Sequence, residues 1–422
     1  MTLPSLAFRS LINRRATVAL TVLTIALSIG LLVLVEQLRV EVRQGFTRSV
    51  AGTDLIVGAR TSPVQLLLYS VFGIGDPSNN VSWESYEGLS NVAEVDWAIP
   101  ISLGDSYQGY RVVGTSEAFF EHYRYGDREA LRLAEGGAFG DLFDVVLGHQ
   151  VARDLGHGLG DELVLAHGTA SVRLQQLHDD LPFRVAGILA PTGTPVDQQL
   201  YISLQAHEAM HIGWQSGARR PGSGVDPTEA RAQLDELRPD AITAILIGLK
   251  TRAAVFGLQR RVNEYRQEAL TAILPGIALQ ELWRITGLAE QVLRLVAWLV
   301  VAAGLLGMLT VLLSTLNERR REMAILRANG ARPLQIAGLL VFEAGLLAAA
   351  GILAGLALAY GVQLAAAPFL LDQLGLHIGL SWPAAELWQW LGLIWIAGLL
   401  AGALPALLAY RRTLADGMQV RM

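Results

Sequence analysis

Four long apolar runs constrain this chain more than any other feature of its sequence. Each is at least about 20 residues long, the length a helix needs to cross a hydrocarbon layer roughly 30 Å thick. A bilayer offers the backbone no hydrogen-bond partners, so runs of this kind fold as helices. We therefore expect an α-helical membrane protein with four transmembrane helices. The runs are Ala16–Val35, Leu295–Leu316, Ile336–Leu364 and Leu387–Leu408.

The composition agrees with this expectation and excludes several classes of protein. Of the 422 residues, 52% are hydrophobic and only 17% are charged, whereas soluble domains carry about 25% charged residues. The chain has no cysteine, which excludes disulfide-stapled modules, thiolate zinc sites and iron–sulfur clusters. Nothing in the sequence indicates a nucleic-acid partner.

The first apolar run has two interpretations. Arg9, Arg14 and Arg15 precede it and resemble the positive region of a signal peptide. However, the run is longer than the 7 to 15 apolar residues of a signal peptide, and no small-residue cleavage site follows it. We favour a retained membrane anchor.

Arginines in the short connections predict the orientation. Three lie within residues 1–15, and the segment 365–386 has neither lysine nor arginine. By the positive-inside rule, both termini and the arginine-rich loop should be cytoplasmic. Further arginines lie in the loop and tail at Arg319, Arg320, Arg321, Arg327, Arg332, Arg411, Arg412 and Arg421.

These observations predict an ordered series of segments. The chain would begin with a cytoplasmic N-terminus (1–15), a first span (16–35) and an outer domain (36–290), with a possible subdomain break at 215–227. The remaining segments would be a second span at 291–316, a cytoplasmic loop at 317–335, a third span at 336–364, an outer loop at 365–386, a fourth span at 387–408 and a cytoplasmic tail at 409–422.

The outer stretch should form a large mixed α+β extracytoplasmic domain. Runs rich in β-branched residues and punctuated by glycine or proline predict strands. The segment AITAILIGL and the helical pattern after it look like half of a split βαβ unit. Strands are predicted at LIVGA, AEVDWAIPISL, YRVVGT, ELVLAHG, FRVAGILA and AITAILIGL, and helices at Glu117–Tyr123, Leu204–His211, Thr228–Leu237 and Arg252–Glu268.

The predicted cytoplasmic loop contains a short amphipathic pattern. Met323, Ile325 and Leu326 offer apolar side chains in a basic setting, and Asn329-Gly330 with Pro333 behind it predicts a helix stop. One interpretation is a loop that only fixes topology beside anionic headgroups. The other is a surface helix presented to a cytoplasmic partner.

This loop resembles the permeases of the MacB, FtsX and LolC/LolE superfamily, the FtsX-like permeases of type VII ABC transporters. The specific motif covers about 35 residues, and the likeness in layout, one span, a large outer domain and three further spans, covers the whole chain. An acidic residue also opens the third span at Glu343, before GLLAAAGILAGLALAYG. The matching loop residues are Glu318, Arg319, Glu322, Met323, Ala324, Ile325, Leu326, Arg327, Ala328, Gly330 and Ala331.

The resemblance implies a non-catalytic permease subunit in a bacterial inner membrane. It implies a separate cytoplasmic ATPase that binds ATP and Mg²⁺, a second permease copy or paralogue, and mechanical transmission to a MacB-like periplasmic core domain. The client would be a peptide, lipoprotein or drug, or a periplasmic partner protein. The residues expected to couple to the ATPase are Glu318, Arg319, Glu322, Met323, Ile325, Leu326, Arg327 and Gly330.

Independent support for a separate ATPase comes from the single lysine. A phosphate-binding Walker A loop requires Gly-Lys followed by Ser or Thr. Lys250 follows Leu249, so the sequence contains no such loop.

Glu343 is a polar residue about ten positions into the third predicted helix. Ionisable residues inside a span are costly and mark functional candidates. A helix that began in the cytosol would instead place Glu343 near the headgroups, and we favour a structural or interfacial role. The small-residue patterns Gly351-x-x-x-Gly355 and Gly398-x-x-x-Gly402 would permit close helix packing.

Histidines are concentrated in the outer domain. His207 and His211 are four positions apart with Glu208 between them, which places two imidazoles on one helix face as in zinc metallopeptidases. A peptidase would need a third ligand, for which Glu229 is one possibility. Two alternatives to the transporter function therefore stay open: a zinc-handling ABC assembly and, less favoured, a membrane-anchored metallopeptidase. We favour the interpretation that the clustered histidines are surface residues of an acidic domain. The seven are His122, His149, His157, His167, His178, His207 and His211.

Overall fold

The computed structural model describes residues 14–168, 176–177, 181–212, 227–232, 237–318, 320–328, 330–374 and 382–416. The chain divides into two compact units. The helical unit comprises Met1–Glu41, Gly287–Pro368 and Ile378–Met422, and the sheet unit comprises Val42–Thr286 and Phe369–His377.

Within the described residues the chain forms twelve α-helices. They are α1 Arg15–Ser49, α2 Pro63–Phe72, α3 Trp83–Ser90, α4 Ala118–His122, α5 His149–Leu155, α6 Leu204–His211, α7 Pro227–Ala232, α8 Val255–Asn263, α9 Pro275–Glu318, α10 Arg320–Ala328, α11 Pro333–Leu374 and α12 Ala385–Asp416.

Among the described residues, four helices are long and apolar enough to cross a membrane: α1, α9, α11 and α12. The predicted fold class of four apolar helices beside a mixed α+β domain is thereby confirmed. The helices are longer than the spans inside them: α9 has 44 residues, or about 66 Å at 1.5 Å per residue. Helix α11 continues to Leu374, so the outer loop predicted from residue 365 begins as helix.

Glycines bring the helices of the helical unit into close contact. A Cβ on Gly355 of α11 would lie 2.9 Å from the Ile29 Cβ of α1, and Gly351 meets Ile25 in the same way. A Cβ on Gly402 of α12 would collide with Ala344 of α11. Both small-residue patterns predicted for close packing therefore lie at helix–helix contacts.

The sheet unit contains sixteen short or medium strands among the described residues. They are β1 Leu55–Ala59, β2 Val81–Ser82, β3 Val95–Tyr107, β4 Tyr110–Thr115, β5 Arg124–Tyr125, β6 Glu129–Ala130, β7 Leu133–Gly136, β8 Asp144–Leu147, β9 Glu162–Leu163, β10 Ala166–His167, β11 Gln176–Leu177, β12 Phe183–Leu189, β13 Gln199–Ser203, β14 Ala241–Ile242, β15 Ala244–Leu249 and β16 Leu270–Ile273.

Twelve of the described strands form one mixed sheet with the path β16-β1-β15-β3-β4-β13-β8-β12-β7. Strands β15 and β16 both run antiparallel to β1, which lies between them. They are therefore parallel to each other and joined through α8, which confirms the predicted half of a split βαβ unit and completes it with β16. Strand β10 pairs with β3 off the main path.

Eight of the sixteen described strands were not predicted. Three of these eight, β8, β13 and β16, have four or five residues that are mostly buried. Their sequences are DVVL, QLYIS and LTAI. A strand of four or five residues buried on both faces shows no alternation, so periodicity does not reveal it. The subdomain break predicted at 215–227 lies outside the described residues, apart from Pro227.

Candidate functional site

The predicted coupling segment forms its own short helix, α10. Gly330 ends it with a left-handed φ of 89°. Its N–H donates to the Arg327 carbonyl at 2.9 Å, and the Ala331 N–H donates to the Leu326 carbonyl at 3.0 Å. This is the pattern by which glycine closes a helix, so the predicted helix stop is confirmed. Pro333 then occupies the first turn of α11, where its missing N–H costs nothing.

The apolar residues of α10 do not all face one way. Met323 packs against a small core that includes Leu316 and Leu340. Ile325 is 56% exposed, and Leu326 and Arg327 are half-buried. Of the predicted coupling residues, Ile325 is therefore the apolar side chain most accessible to a partner. Arg319, like Asn329, lies outside the described residues, as do the side chains of Glu318 and Glu322.

Glu343 lies in α11 and is only 3% exposed within the chain. The next residue, Ala344, is fully buried where α12 approaches closely through Gly402. Glu343 is therefore buried within the helical unit, and its role stays a prediction.

A second buried carboxylate in the helical unit joins two helices and was not predicted. Glu36 of α1 is 6% exposed and accepts a hydrogen bond from the Arg39 Nε at 3.2 Å. The Arg294 Nη2 of α9 lies 3.6 Å from the same carboxylate. The Arg294 guanidinium also lies 5.3 Å from the centre of the Trp390 ring of α12. The ion pair thus ties α1 to α9 near the end of the first apolar run.

In the sheet unit, three histidines and one aspartate converge from three separate elements. His207 and His211 lie one turn apart on α6, which begins where the Ser203 Oγ accepts a hydrogen bond from the Ala206 N–H at 3.0 Å. His167 on β10 lies directly opposite Asp105 on β3. We call Asp105, His167, His207 and His211 the His–Asp cluster. The two α6 histidines were predicted as candidate ligands, whereas Asp105 was not.

A β-bulge explains how Asp105 reaches α6. The pairing of β3 with β4 shifts register between Leu103 and Ser106, which leaves one extra residue on β3. In a regular strand, Ser102 and Asp105 would point to opposite faces, because side chains alternate. Both nevertheless lie beside His207, since a bulge redirects the residues that follow it.

The donor atoms of the cluster are close together. The Asp105 Oδ1 lies 3.3 Å from the His167 Nδ1 and 3.6 Å from the His211 Nε2. The Asp105 Oδ2 lies 3.5 Å from the His207 Nε2. The His211 Nε2 and the His167 Nδ1 are 3.2 Å apart. Asp105, His207 and His211 therefore each direct one ligand atom into a small volume, within 4.8 Å of one another, and His167 borders this volume.

The carboxylate affects the neighbouring imidazole. A hydrogen bond to Asp105 raises the pKa of the His167 imidazole above its usual value, although partial burial opposes this effect. Asp105 itself is 1% exposed. A buried carboxylate surrounded by imidazoles favours positive charge at this point.

Glu208, the acid of the peptidase-like pattern, has a different environment. Burial and the nearby Asp240 raise the pKa of the Glu208 carboxyl. The group of side chains arranged to hold an ion consists of Asp105, His207 and His211, within the described residues. A peptidase would instead need Glu208 beside the metal-bound water. The Glu229 side chain and His178 lie outside the described residues.

The other described histidines of the domain have separate contacts. The His157 Nε2 lies 3.0 Å from the Tyr107 hydroxyl, and its Nδ1 lies 3.3 Å from Asp161. The His122 ring stacks on the Trp97 ring at 5.8 Å. The concentration of histidines in the sequence therefore reflects several local environments, and three of these residues form the cluster.

Two protein-family models match this chain, and together they cover residues of both units. The model of the MacB-like periplasmic core domain matches residues 18–237, more than half of the chain. The model of the FtsX-like permease C-terminal domain matches residues 294–414. No curated protein sequence matches this chain.

Solved structures include similar outer domains. The periplasmic region of MacB from Actinobacillus actinomycetemcomitans is 12% identical, with a TM-score of 0.33, over 56% of this chain and 97% of that one. The extracellular domain of the noncanonic ABC-type transporter YknZ from Gram-positive bacteria is 12% identical, with a TM-score of 0.29, over 52% of this chain and 99% of that one. On the strength of the two family models, the chain belongs to the FtsX-like ABC transporter permeases with a MacB-like periplasmic core domain.

Proposed function

We propose that this chain is the membrane subunit of an ABC transporter that converts ATP hydrolysis by a separate cytoplasmic ATPase into motion of its outer domain. The observation that carries the proposal is α10, a short helix bounded by Gly330 that exposes Ile325 in a strongly basic segment. Protein interfaces place apolar side chains at the centre of a polar rim, and Ile325 within this basic segment fits that arrangement. This segment is the one that resembles the coupling region of the family.

The transmission elements would be α1 and α9. Each is an unbroken helix, of 35 and 44 residues, and each contains residues of both units. In the sheet unit, Phe46 and Val50 of α1 and Leu282 and Trp283 of α9 pack on the same hydrophobic core. The Tyr123 hydroxyl also donates to the Ser49 carbonyl at 2.6 Å. A displacement of either helix would therefore be transmitted to the sheet.

We further propose a bacterial inner-membrane location with cytoplasmic termini, on the basis of the arginine distribution. The permease would act as a dimer with itself or a paralogue, because the ATPases of the family act in pairs. The client would be periplasmic or lipophilic, such as a peptide, lipoprotein or drug, presented directly or by a periplasmic protein. A cleft of about 960 Å³ in the sheet unit, lined in part by Tyr110, Arg111 and Gln199, offers a surface for it.

Co-purification with the ATPase tests the coupling surface. Ile325→Asp places a charge on the exposed apolar position of α10. If Ile325 is one of the few residues that dominate the contact, the change should reduce ATPase recovery about tenfold or more, because such residues contribute about 2 kcal/mol or more. Arg327→Glu combined with it should abolish recovery.

The matched control is Ile74→Asp in the sheet unit, where Ile74 is 54% exposed. This variant should recover the ATPase as the wild type does. Normal ATPase recovery with both α10 substitutions would show that this helix is not the docking site.

A further inference from the structure

We propose that the His–Asp cluster is a binding site for a divalent transition metal, zinc in the first instance. The site lies wholly within the sheet unit and does not depend on the transport function proposed above. Its four side chains come from β3, β10 and α6, elements far apart in the sequence, so their convergence is a property of the tertiary fold.

Several distances in the cluster match those between ligands of a tetrahedral ion. With zinc–nitrogen and zinc–oxygen bonds of about 2.0–2.2 Å, neighbouring ligand atoms in a tetrahedron lie roughly 3.3–3.6 Å apart. The Asp105 Oδ1 lies 3.3 Å from His167 and 3.6 Å from His211, and the Asp105 Oδ2 lies 3.5 Å from His207. The separation between the His211 Nε2 and the His167 Nδ1 is 3.2 Å. The ligand atoms of Asp105, His207 and His211 all lie within 4.8 Å of one another, so a modest closing of these side chains would bring them onto one ion, with His167 beside it.

Hydrogen bonds outside the cluster orient the ligand nitrogens. The His211 Nδ1–H donates to the His207 carbonyl at 2.6 Å, which leaves the Nε2 lone pair of a neutral ring directed into the cluster. The His207 Nδ1 lies 3.5 Å from the Ser102 Oγ, and its Nε2 faces Asp105. Metal-binding histidines commonly hold their second nitrogen in this way.

The backbone leaves room for these side chains. A Cβ on Gly114 of β4 would lie 3.1–3.3 Å from three atoms of His207, so a larger residue there would displace the imidazole. The Gly168 N–H donates to the Gly104 carbonyl at 2.9 Å, and the Ser106 Oγ donates to the Gly168 carbonyl at 2.8 Å. These bonds fix β10 beside the bulge and hold His167 opposite Asp105.

Charge and access favour a cation. The Asp105 side chain is fully buried, while those of His167, His207 and His211 are 33%, 12% and 22% exposed. The carboxylate offsets part of the charge of a divalent ion, and the partly exposed histidines leave a route from solvent. Imidazole and carboxylate ligands suit zinc, and also copper and nickel, better than magnesium or calcium.

The test is zinc binding to the full chain in detergent, after chelation and removal of bound metal. We expect one zinc per chain by elemental analysis after re-addition, and a zinc-dependent rise in melting temperature. Cobalt(II) should give the intense visible absorption of a tetrahedral site. His167→Gln should weaken zinc binding about 10–100-fold, the range for residues that border a metal site. His167→Gln is the first variant to test because His167 is the most exposed of the four side chains, so this substitution should disturb folding least.

Two matched controls separate the cluster from general histidine binding. His122→Ala and His157→Ala remove histidines of the same domain that lie outside the cluster, and both should bind one zinc with wild-type affinity. Asp105→Asn provides a second cluster variant, and its melting temperature without metal reports whether it folds. The proposal is overturned if the wild type shows no saturable zinc binding. It is equally overturned if His167→Gln binds zinc as the wild type does, or if His157→Ala loses as much affinity as His167→Gln.

Discussion

The Phe46 ring of α1 lies edge-on against the Trp283 ring of α9, with ring centroids 5.3 Å apart. Phe46 also contacts Phe72 at 4.4 Å, and the Arg43 guanidinium lies 5.4 Å from the centre of the Trp283 ring. The two long helices are thus joined to each other and to α2 by aromatic contacts inside the sheet unit.

Phe46→Ala should weaken this junction. A fully buried Phe→Ala change costs about 3–5 kcal/mol, and because Phe46 is only half-buried we expect about 1–3 kcal/mol. If α1 and α9 transmit force, ATP hydrolysis should continue while the ATP-dependent change in the outer domain is lost. Spin-label distances across the sheet unit, with and without ATP, measure this change. Phe256→Ala, at a position 65% exposed, is the control and should behave as the wild type; a normal ATP response in Phe46→Ala would argue against transmission through this contact.

Glu36→Ala should destabilise the helical unit, because Arg39 and Arg294 would lose a buried partner. Breaking a fully buried ion pair costs about 3–5 kcal/mol. The Arg39 and Arg294 side chains are 18% and 35% exposed, so solvent screening should reduce the loss to about 1–3 kcal/mol.

Thermal unfolding in detergent measures the effect of Glu36→Ala. Glu281→Ala is its control, since Glu281 pairs with Arg284 at 3.6 Å on an exposed surface of α9, where such pairs contribute about 0–1 kcal/mol. Equal melting temperatures for the two variants would contradict a stabilising role for Glu36.

Gly355→Ala should separate α1 from α11. The added Cβ would lie 2.9 Å from the Ile29 Cβ and 3.0 Å from the Ala26 carbonyl oxygen, and overpacking of this kind typically costs about 1–3 kcal/mol. Gly361→Ala in the same helix is the control, because nothing lies within 4 Å of its added Cβ. The melting temperature should fall for the first and stay level or rise for the second, and the reverse order would refute the contact.

Alkaline pH should destabilise the sheet unit through Tyr69. Burial raises the pKa of the Tyr69 hydroxyl to about 12 from its usual 10.0. The unfolded chain therefore loses this proton first as pH rises. Stability should be level below about pH 9 and fall between pH 10 and 12, by up to about 2.7 kcal/mol for a shift of about two units.

Tyr69→Phe removes this ionisation from both states. Chemical unfolding at pH 8, 10 and 11 should therefore show a smaller alkaline loss in the variant than in the wild type. Identical pH dependence in the two proteins would show that Tyr69 titrates alike in the folded and unfolded chain.

Local patterns account for what could be predicted. Apolar runs identified the four long helices because a membrane span is a property of consecutive residues. The end of α10 at Gly330 was predictable because a left-handed residue strongly favours glycine. The spacing of His207 and His211 placed both imidazoles on one helix face, and α6 has the predicted bounds.

Other features depend on contacts between distant residues. The strands β8 and β13 lack alternation because both of their faces are buried. The ion pair of Glu36 with Arg294 joins positions more than 250 residues apart, and no spacing rule links them. The inward orientation of Met323 depends on Leu316 and Leu340 lying beside α10.

The sequence by itself determined the number of long apolar helices, the presence of a separate mixed domain, the first half of the split βαβ unit and the stop after α10. Each follows from hydrophobic periodicity or turn chemistry within a few neighbouring residues. Only the tertiary structure decided that Asp105 and His167 face the α6 histidines, because this requires β10 to pair with β3 and a bulge to turn Asp105 toward α6. Side chains that meet across strands are selected by register, and register is set by the whole sheet.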